Sequence, residues 1–120
     1  MHSVGVDLVE MDRVEQALAR FGERFLLRVY TDAEIKFCRG RVPELAARFA
    51  AKEAIAKALG TGIGGVAWRE MEILPDAQGK PLVTLYDCAL QRAVELGLRE
   101  FAISLSHTRE LAIAFVVATG

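Results

Sequence analysis

The sequence predicts an α+β fold with a largely antiparallel sheet. The first half of the chain contains mainly helical patterns, whereas alternating strand patterns lie next to one another in the second half. The chain has 120 residues, of which 52% are apolar, enough to fold around one core. We therefore expect residues 1–120 to form a single small domain in which a mostly antiparallel sheet packs with helices.

The amino-terminal segment predicts a strand followed by a helix. In "SVGVDLVEM", apolar residues alternate with Gly5 and Asp7, as is typical of a strand. The pattern becomes helical from about Asp12 and stops near Gly22, because glycine commonly ends helices.

Two further helices are predicted before residue 61. Thr31 or Asp32 can serve as the N-cap of the first, with Glu34 placed for a capping box. Pro43 begins the second, a long helix that ends at Gly60.

The second half predicts two pairs of strands with a helix between them. "WREMEILPD" and "KPLVTLYD" read as strands joined by a turn in "DAQGKP". "CALQRAVELG" reads as a helix with Gly97 at its end, and "FAISLSHT" and "ELAIAFVVA" as paired strands.

Charge and composition indicate which kind of partner to expect and in which compartment the chain works. The net charge is −1, but residues 13–57 contain ten Lys/Arg and six Asp/Glu. A basic segment on a nearly neutral chain favours an acidic partner or a phosphorylated ligand over nucleic acid. We expect no membrane span and no secretory signal, and the spacing of Cys38 and Cys88 indicates reduced thiols in the cytoplasm.

The long helix, "RFAAKEAIAKALG", has an unusual distribution of charge. On a helical wheel Arg48 and Lys52 fall on the side that also contains the large apolar residues. Glu53 and Lys57 form a second charged edge among alanines. The helix is therefore predicted to be largely buried although it carries four charges.

Asp7 and Glu53 are candidate metal ligands. A carboxylate in a strand usually faces solvent, and Glu53 could simply form a helical ion pair with Lys57. Together, however, two carboxylates match the way Mg²⁺ binds, because this ion takes its remaining ligands from phosphates and water. Lys57 would then lie near the same metal and phosphate.

Two other segments are candidate phosphate sites. "GTGIGG" does not fit a Walker A loop and follows a helix, so Gly60 is more simply a helix C-cap. "SLSHTRE" offers hydroxyl and imidazole donors around His107, although a structural histidine is the simpler interpretation. A nucleophile–base pair is not supported, because neighbours in a strand point to opposite faces.

Three blocks together resemble a known family. Gly-x-Asp followed six residues later by Arg appears as "GVDLVEMDR", and the helix pattern Phe-x-x-Lys-Glu-Ala-x-x-Lys-Ala-x-Gly appears as "FAAKEAIAKALG". The carboxyl-terminal block appears as "SLSHTRELAIA", with "GKP" in the earlier turn. The chain is similar over nearly all its length to 4′-phosphopantetheinyl transferases of the small holo-acyl-carrier-protein synthase type.

The resemblance implies a fold and a reaction. Such enzymes have their own α+β fold and move 4′-phosphopantetheine from coenzyme A to a serine of apo acyl carrier protein, for fatty acid biosynthesis, releasing adenosine 3′,5′-bisphosphate. By that likeness Asp7 and Glu53 would hold Mg²⁺, with Mn²⁺ as an alternative ion, and Lys57 would contact the phosphates. The base that takes the serine proton stays open between Glu53 and a water on the metal.

The resemblance also assigns binding residues and an assembly. It implies a homotrimer with active sites shared between subunits, in which charges of the long helix pair with metal, phosphates and a neighbouring subunit. The alternatives are a binding module without catalysis and a purely structural oligomer. The residues implied for coenzyme A are Arg48, Lys57, Gly79, Lys80, Pro81, Ser106, His107 and Thr108, and those for the acidic carrier protein are Arg13, Arg20, Arg24 and Arg28.

Overall fold

The computed structural model describes all residues from Met1 to Gly120. It contains five strands and five α-helices, with a short 3₁₀ turn before the second strand. The elements in chain order are β1 His2–Glu10, α1 Met11–Phe21, α2 Glu23–Val29, α3 Asp32–Cys38, α4 Val42–Ala58, the 3₁₀ turn Trp68–Glu70, β2 Met71–Pro75, β3 Pro81–Leu85, α5 Asp87–Glu95, β4 Glu100–His107 and β5 Leu111–Thr119.

Both sheets are antiparallel, which confirms the predicted α+β class. A three-stranded sheet has the order β1-β5-β4, and β2 and β3 form a separate hairpin. Two details differ from the sequence prediction. Helix α2 was not predicted, and the strand expected from Trp68 begins only at Met71, because Trp68–Glu70 form the 3₁₀ turn.

Helix α4 lies on the inner face of the three-stranded sheet and packs most closely against β1. Buried alanines on β5 and along α4 leave room for this approach. Gly5 of β1 is part of the same contact, because a Cβ at this position would overlap the carbonyl oxygen of Ala54. Small residues on both elements therefore bring the backbone of β1 against the centre of the long helix.

The outer face of this sheet is apolar and uncovered. In β1 the inner face is formed by the set that includes Gly5 and Asp7. Asp7 therefore points toward α4 and is half-buried, and the alternative that this carboxylate simply faces solvent does not hold. The large apolar residues of β1 point outward, as do those of β5 paired with them. The exposed set is Val4, Val6, Leu8, Leu111, Ile113 and Phe115.

The predicted helix ends are confirmed. Thr31 and Glu34 form the capping box at the start of α3. Gly60 adopts φ 75° after α4, and Gly97 adopts φ 71° after α5, backbone conformations that favour glycine. None of the helices is both long enough and apolar enough to cross a membrane.

Candidate active site

Asp7, Glu53 and Lys57 meet where β1 contacts α4. Lys57 Nζ donates a hydrogen bond to Asp7 Oδ1 at 3.0 Å and another to the Val6 carbonyl at 3.1 Å. Lys57 of α4 is thus paired with Asp7 of β1, and not with Glu53 one turn earlier in its own helix. This set lies next to the close contact at Gly5, because Asp7 is only two residues further along β1.

Burial and the neighbouring Asp7 together determine the electrostatics of Glu53. Glu53 is half-buried, and burial raises its pKa above the usual carboxylate value. The negative charge of Asp7 raises the Glu53 pKa further, whereas Arg13 and Lys57 lower it. A cation between the carboxylates would relieve this repulsion.

The chemistry of this donor set fits Mg²⁺. No group of three or more His, Cys, Asp or Glu side chains in the chain forms a metal cluster. Mg²⁺ does not require one, because it is commonly held by one or two carboxylates together with substrate phosphates and water. Asp7 and Glu53 therefore could hold such an ion while leaving positions for a phosphorylated ligand.

A cleft of about 360 Å³ opens on another side of α4. Three ionisable residues line this cleft: Glu44 and Arg48 of α4, and His107 at the end of β4. Gly79 of the β2–β3 turn and Pro81, the first residue of β3, form the facing wall. Four residues implied by the family resemblance are thereby brought to one cleft.

Arg48 is almost fully buried and is held by contacts within the chain. Its Nε donates to the Ile73 carbonyl at 2.9 Å, and its Nη1 lies 3.8 Å from Glu44 Oε1. The guanidinium also lies 4.6 Å from the centre of the Phe37 ring. These contacts fix the side chain in the cleft lining, which is the arrangement that a rigid anion contact requires.

The β2–β3 turn is closed by Asp76. Its Oδ1 accepts hydrogen bonds from the backbone N–H groups of Gln78 at 2.8 Å and Lys80 at 2.9 Å. Gly79 adopts φ 86°, a conformation that residues with a Cβ rarely take. The Lys80 side chain is exposed next to the cleft wall.

The predicted set at the end of β4 is divided between two faces of the sheet. His107 lines the cleft, whereas Ser106 pairs with Ile113 on the outer apolar face. The Thr108 hydroxyl accepts hydrogen bonds from the backbone of Glu110 and Leu111 and so stabilises the β4–β5 turn. Within one chain, only His107 of these three belongs to the cleft.

Lys52 forms its ion pair within the chain. The expectation that the charges of the long helix pair with ligands and a neighbouring subunit is therefore wrong for this residue. Lys52 Nζ donates to Glu34 Oε1 at 2.6 Å, and neither side chain has any exposed surface. The partner lies in the same chain because an unpaired ammonium at this depth would be too costly.

The arginines expected to face an acidic partner are all exposed on α1 and α2. Arg13 lies nearest the carboxylates, with its guanidinium 5.8 Å from the centre of the Phe49 ring. Arg20 lies over Phe21 at 5.2 Å. The other two, Arg24 and Arg28, line a small groove of about 200 Å³ with Phe21 and Phe25.

Sequence reasoning missed Phe37 and Glu44 in the cleft. Two guanidinium groups lie near the Phe37 ring, that of Arg41 at 5.3 Å and that of Arg48 at 4.6 Å from its centre. Glu44 forms ion pairs with the same two arginines. The i,i+3 spacing of Arg41 and Glu44 and the i,i+4 spacing of Glu44 and Arg48 were visible in the sequence. The contact with Phe37 of α3 depends on the tertiary fold.

Comparison with known proteins shows the family to which this chain belongs. Residues 3–116 match the family model of the 4′-phosphopantetheinyl transferase superfamily, and the chain belongs to this superfamily. A holo-[acyl-carrier-protein] synthase of Herpetosiphon aurantiacus is 55% identical over 97% of both chains. Another, of Solidesulfovibrio magneticus, is 49% identical over 100% of this chain and 99% of its own.

Two solved structures of such synthases have the same fold as this chain. The crystal structure of Helicobacter pylori holo-[acyl-carrier-protein] synthase in complex with coenzyme A has a TM-score of 0.88 and 32% identity, covering 97% of this chain and 99% of that one. The Neisseria meningitidis synthase has a TM-score of 0.89 at 38% identity, with 98% of each chain covered. The predicted family, fold and enzyme class are confirmed.

Proposed function

We propose that this chain transfers 4′-phosphopantetheine from coenzyme A to a serine of apo acyl carrier protein. In this reaction the serine hydroxyl gives up its proton, to Glu53 or to water, as its oxygen bonds to the phosphorus that carries pantetheine. The bond from that phosphorus to the bridging oxygen breaks. Adenosine 3′,5′-bisphosphate leaves with the bridging oxygen. The observation that carries the proposal is the joint presence of Asp7, Glu53 and Lys57 at the β1–α4 contact.

The chain's own residues divide the work of phosphoryl transfer. Asp7 and Glu53 would hold Mg²⁺ or, as an alternative, Mn²⁺, which neutralises charge on the pyrophosphate when bound. The Lys57 ammonium is exposed and can move from Asp7 to a phosphate oxygen. Rigid placement of α4 against β1 would align these groups, since such catalysis depends on position and charge.

The cleft provides a site for the nucleotide part of coenzyme A. Arg48 and His107 would contact phosphate oxygens, and the wall formed by Gly79, Lys80 and Pro81 would lie beside the adenine. Ser106 and Thr108 are proposed contacts only in an assembly, because neither belongs to the cleft of a single chain.

The acidic carrier protein would bind along α1 and α2. Arg13 lies beside Glu53, so a carrier docked there would present its serine to the metal site. Arg20, Arg24 and Arg28 continue the basic surface away from that point. Exposed cations of this kind steer an acidic partner and fix its orientation.

The proposal includes a homotrimer in the cytoplasm that supplies fatty acid biosynthesis. The outer face of the three-stranded sheet supports the trimer, because side chains such as Val4 and Phe115 are 59% and 46% exposed there. A continuous apolar face of this kind marks an interaction surface. Ser106 lies on it, which is consistent with a site completed by a neighbouring subunit.

The trimer is tested by Phe115→Glu. We expect light scattering to report a loss of the trimer, because a carboxylate on the apolar face cannot be desolvated without a partner. Val94→Glu is the matched control, since Val94 is 68% exposed on α5, away from the sheet. A Phe115→Glu protein that keeps the trimer mass would contradict this interface.

The reaction is tested by intact mass spectrometry of apo acyl carrier protein. The carrier is incubated with this protein, coenzyme A and Mg²⁺, and a parallel sample contains EDTA. We expect the carrier to gain one phosphopantetheine, and the gain to disappear with EDTA. No gain with several carrier proteins would favour the binding module without catalysis.

A further inference from the structure

One edge of β2 is hydrogen-bonded by buried charged side chains. Strand β3 pairs with the other edge. The Ile73 N–H donates to Glu34 Oε2 at 2.8 Å, and the Ile73 carbonyl accepts from Arg48 Nε at 2.9 Å. The Met71 carbonyl accepts from Lys52 Nζ at 2.7 Å. Side chains of α3 and α4 thus occupy the groups that another strand would use.

Lys52 has no hydrogen-bonding capacity left for a ligand. An ammonium has three donors. They are directed at Glu34 Oε1 at 2.6 Å, the Met71 carbonyl at 2.7 Å and the Trp68 carbonyl at 3.0 Å. The side chain is fully buried. The role of Lys52 therefore lies within the fold, between α4 and the segment that leads into β2.

The spacing of these contacts fixes the register of the hairpin on the helix. Arg48 and Lys52 are one turn apart, about 6 Å along the helix. Ile73 and Met71 are two residues apart, about 6.6 Å along the strand. The two repeats match, so each cation meets one carbonyl on the same edge. A slip of β2 by one residue would turn those carbonyls away from α4.

We infer that Lys52 is a positioning residue for the coenzyme A cleft. By holding β2 on α4 it sets the β2–β3 turn, and with it Gly79 and Pro81, opposite His107, without touching the coenzyme. This inference rests on the proposed binding of coenzyme A in that cleft. The Asp7–Glu53 site lies on another side of α4 and does not depend on the hairpin.

The inference is tested with Lys52→Met, alone and combined with Glu34→Gln. We measure the dissociation constant of coenzyme A by calorimetry and the urea midpoint of the same samples. Lys52→Met alone leaves a buried carboxylate unpaired, so its midpoint falls. The double variant removes that charge and so recovers part of the lost stability, yet binds coenzyme A about tenfold more weakly. The Met71 and Trp68 carbonyls still lack their donor, and the glutamine amide has one acceptor oxygen in place of the two Glu34 oxygens that accept from Thr31 and Ile73.

The matched control is Arg69→Met. Arg69 Nη2 pairs with Asp32 Oδ1 at 2.6 Å, so it joins α3 to the same segment before β2, but at the exposed surface. We expect its coenzyme A affinity to stay within about twofold of the wild type, as is usual for a surface pair. A folded double variant with wild-type affinity would overturn the role of Lys52. Failure of the wild-type protein to bind coenzyme A would instead contradict the proposed function.

Discussion

Helix α4 carries two pairs of charged residues with the same i,i+4 spacing and opposite environments. Arg48 and Lys52 are buried and bonded to carbonyls of β2 and to Glu34. Glu53 and Lys57 begin one residue after Lys52 but lie at the β1 side, half-buried and exposed respectively. One step of about 100° around the helix separates Lys52, whose three donors are all used within the fold, from the proposed catalytic pair.

The difference follows from the cost of burying charge. A buried ion must find its partners within the protein, because leaving it unpaired costs several kcal/mol. Arg48 and Lys52 find theirs at the edge of β2, so they define where the hairpin lies. Glu53 and Lys57 keep access to solvent, so they can exchange one partner for another during a reaction.

The largest expected effect is on the exposed side of the helix. Glu53→Ala should lower the rate of transfer at least about a hundredfold, because it removes one of two carboxylates facing the proposed metal. The rate is measured by the mass gain of the carrier protein over time. Glu95→Ala, at the end of α5, is the control. Wild-type turnover by Glu53→Ala would exclude Glu53 from the site.

The second effect concerns the contact that brings α4 to β1. Gly5→Ala should reduce both stability, by about 1–3 kcal/mol, and transfer, because the new methyl group displaces β1 and Asp7 from the helix. Urea unfolding and the transfer assay report the two losses. A Cβ on Gly64 meets no neighbouring atom, so Gly64→Ala should change neither. Full activity in Gly5→Ala would show that the close approach is dispensable.

A smaller effect is expected at Arg13, which lies beside Glu53 on the proposed carrier-protein surface. Arg13→Glu should raise the KM for the carrier about tenfold, because it reverses a charge on that proposed surface. The dissociation constant of coenzyme A should change much less. Separate titrations of the two substrates distinguish these effects. An equal loss for both would contradict the assignment of Arg13 to the carrier.

Much of this architecture was predictable from local patterns. The alternation in the strands, the capping box at Thr31 and the glycines after α4 and α5 are short-range signals, and they gave the α+β class and most elements. The division of the long helix into two charged sides was also visible, because it depends only on helical geometry. The family resemblance added the proposed reaction and the residues proposed for it.

The remaining features depend on tertiary contacts. The Glu34–Lys52 pair joins residues 18 positions apart, and the bond from Ile73 to Glu34 spans 39. Sequence alternation in β1 could not tell which face is covered, because the apolar set lies outside and Asp7 lies toward α4. Strand β1 departs from the rule that the apolar side of a strand faces the core of its own chain, and we propose that a neighbouring subunit covers that side.

The most direct measurement compares Lys52→Met with Lys57→Met in the same urea unfolding and transfer experiments. Both substitutions remove an ammonium from α4 and keep a long apolar side chain. We predict that Lys52→Met loses about 3–5 kcal/mol of stability, because it leaves a buried carboxylate unpaired. Lys57 is 53% exposed, so Lys57→Met should lose no more than about 1 kcal/mol of stability but most of its turnover. If both variants lose the same property to the same extent, the division of α4 into a structural side and a catalytic side is wrong.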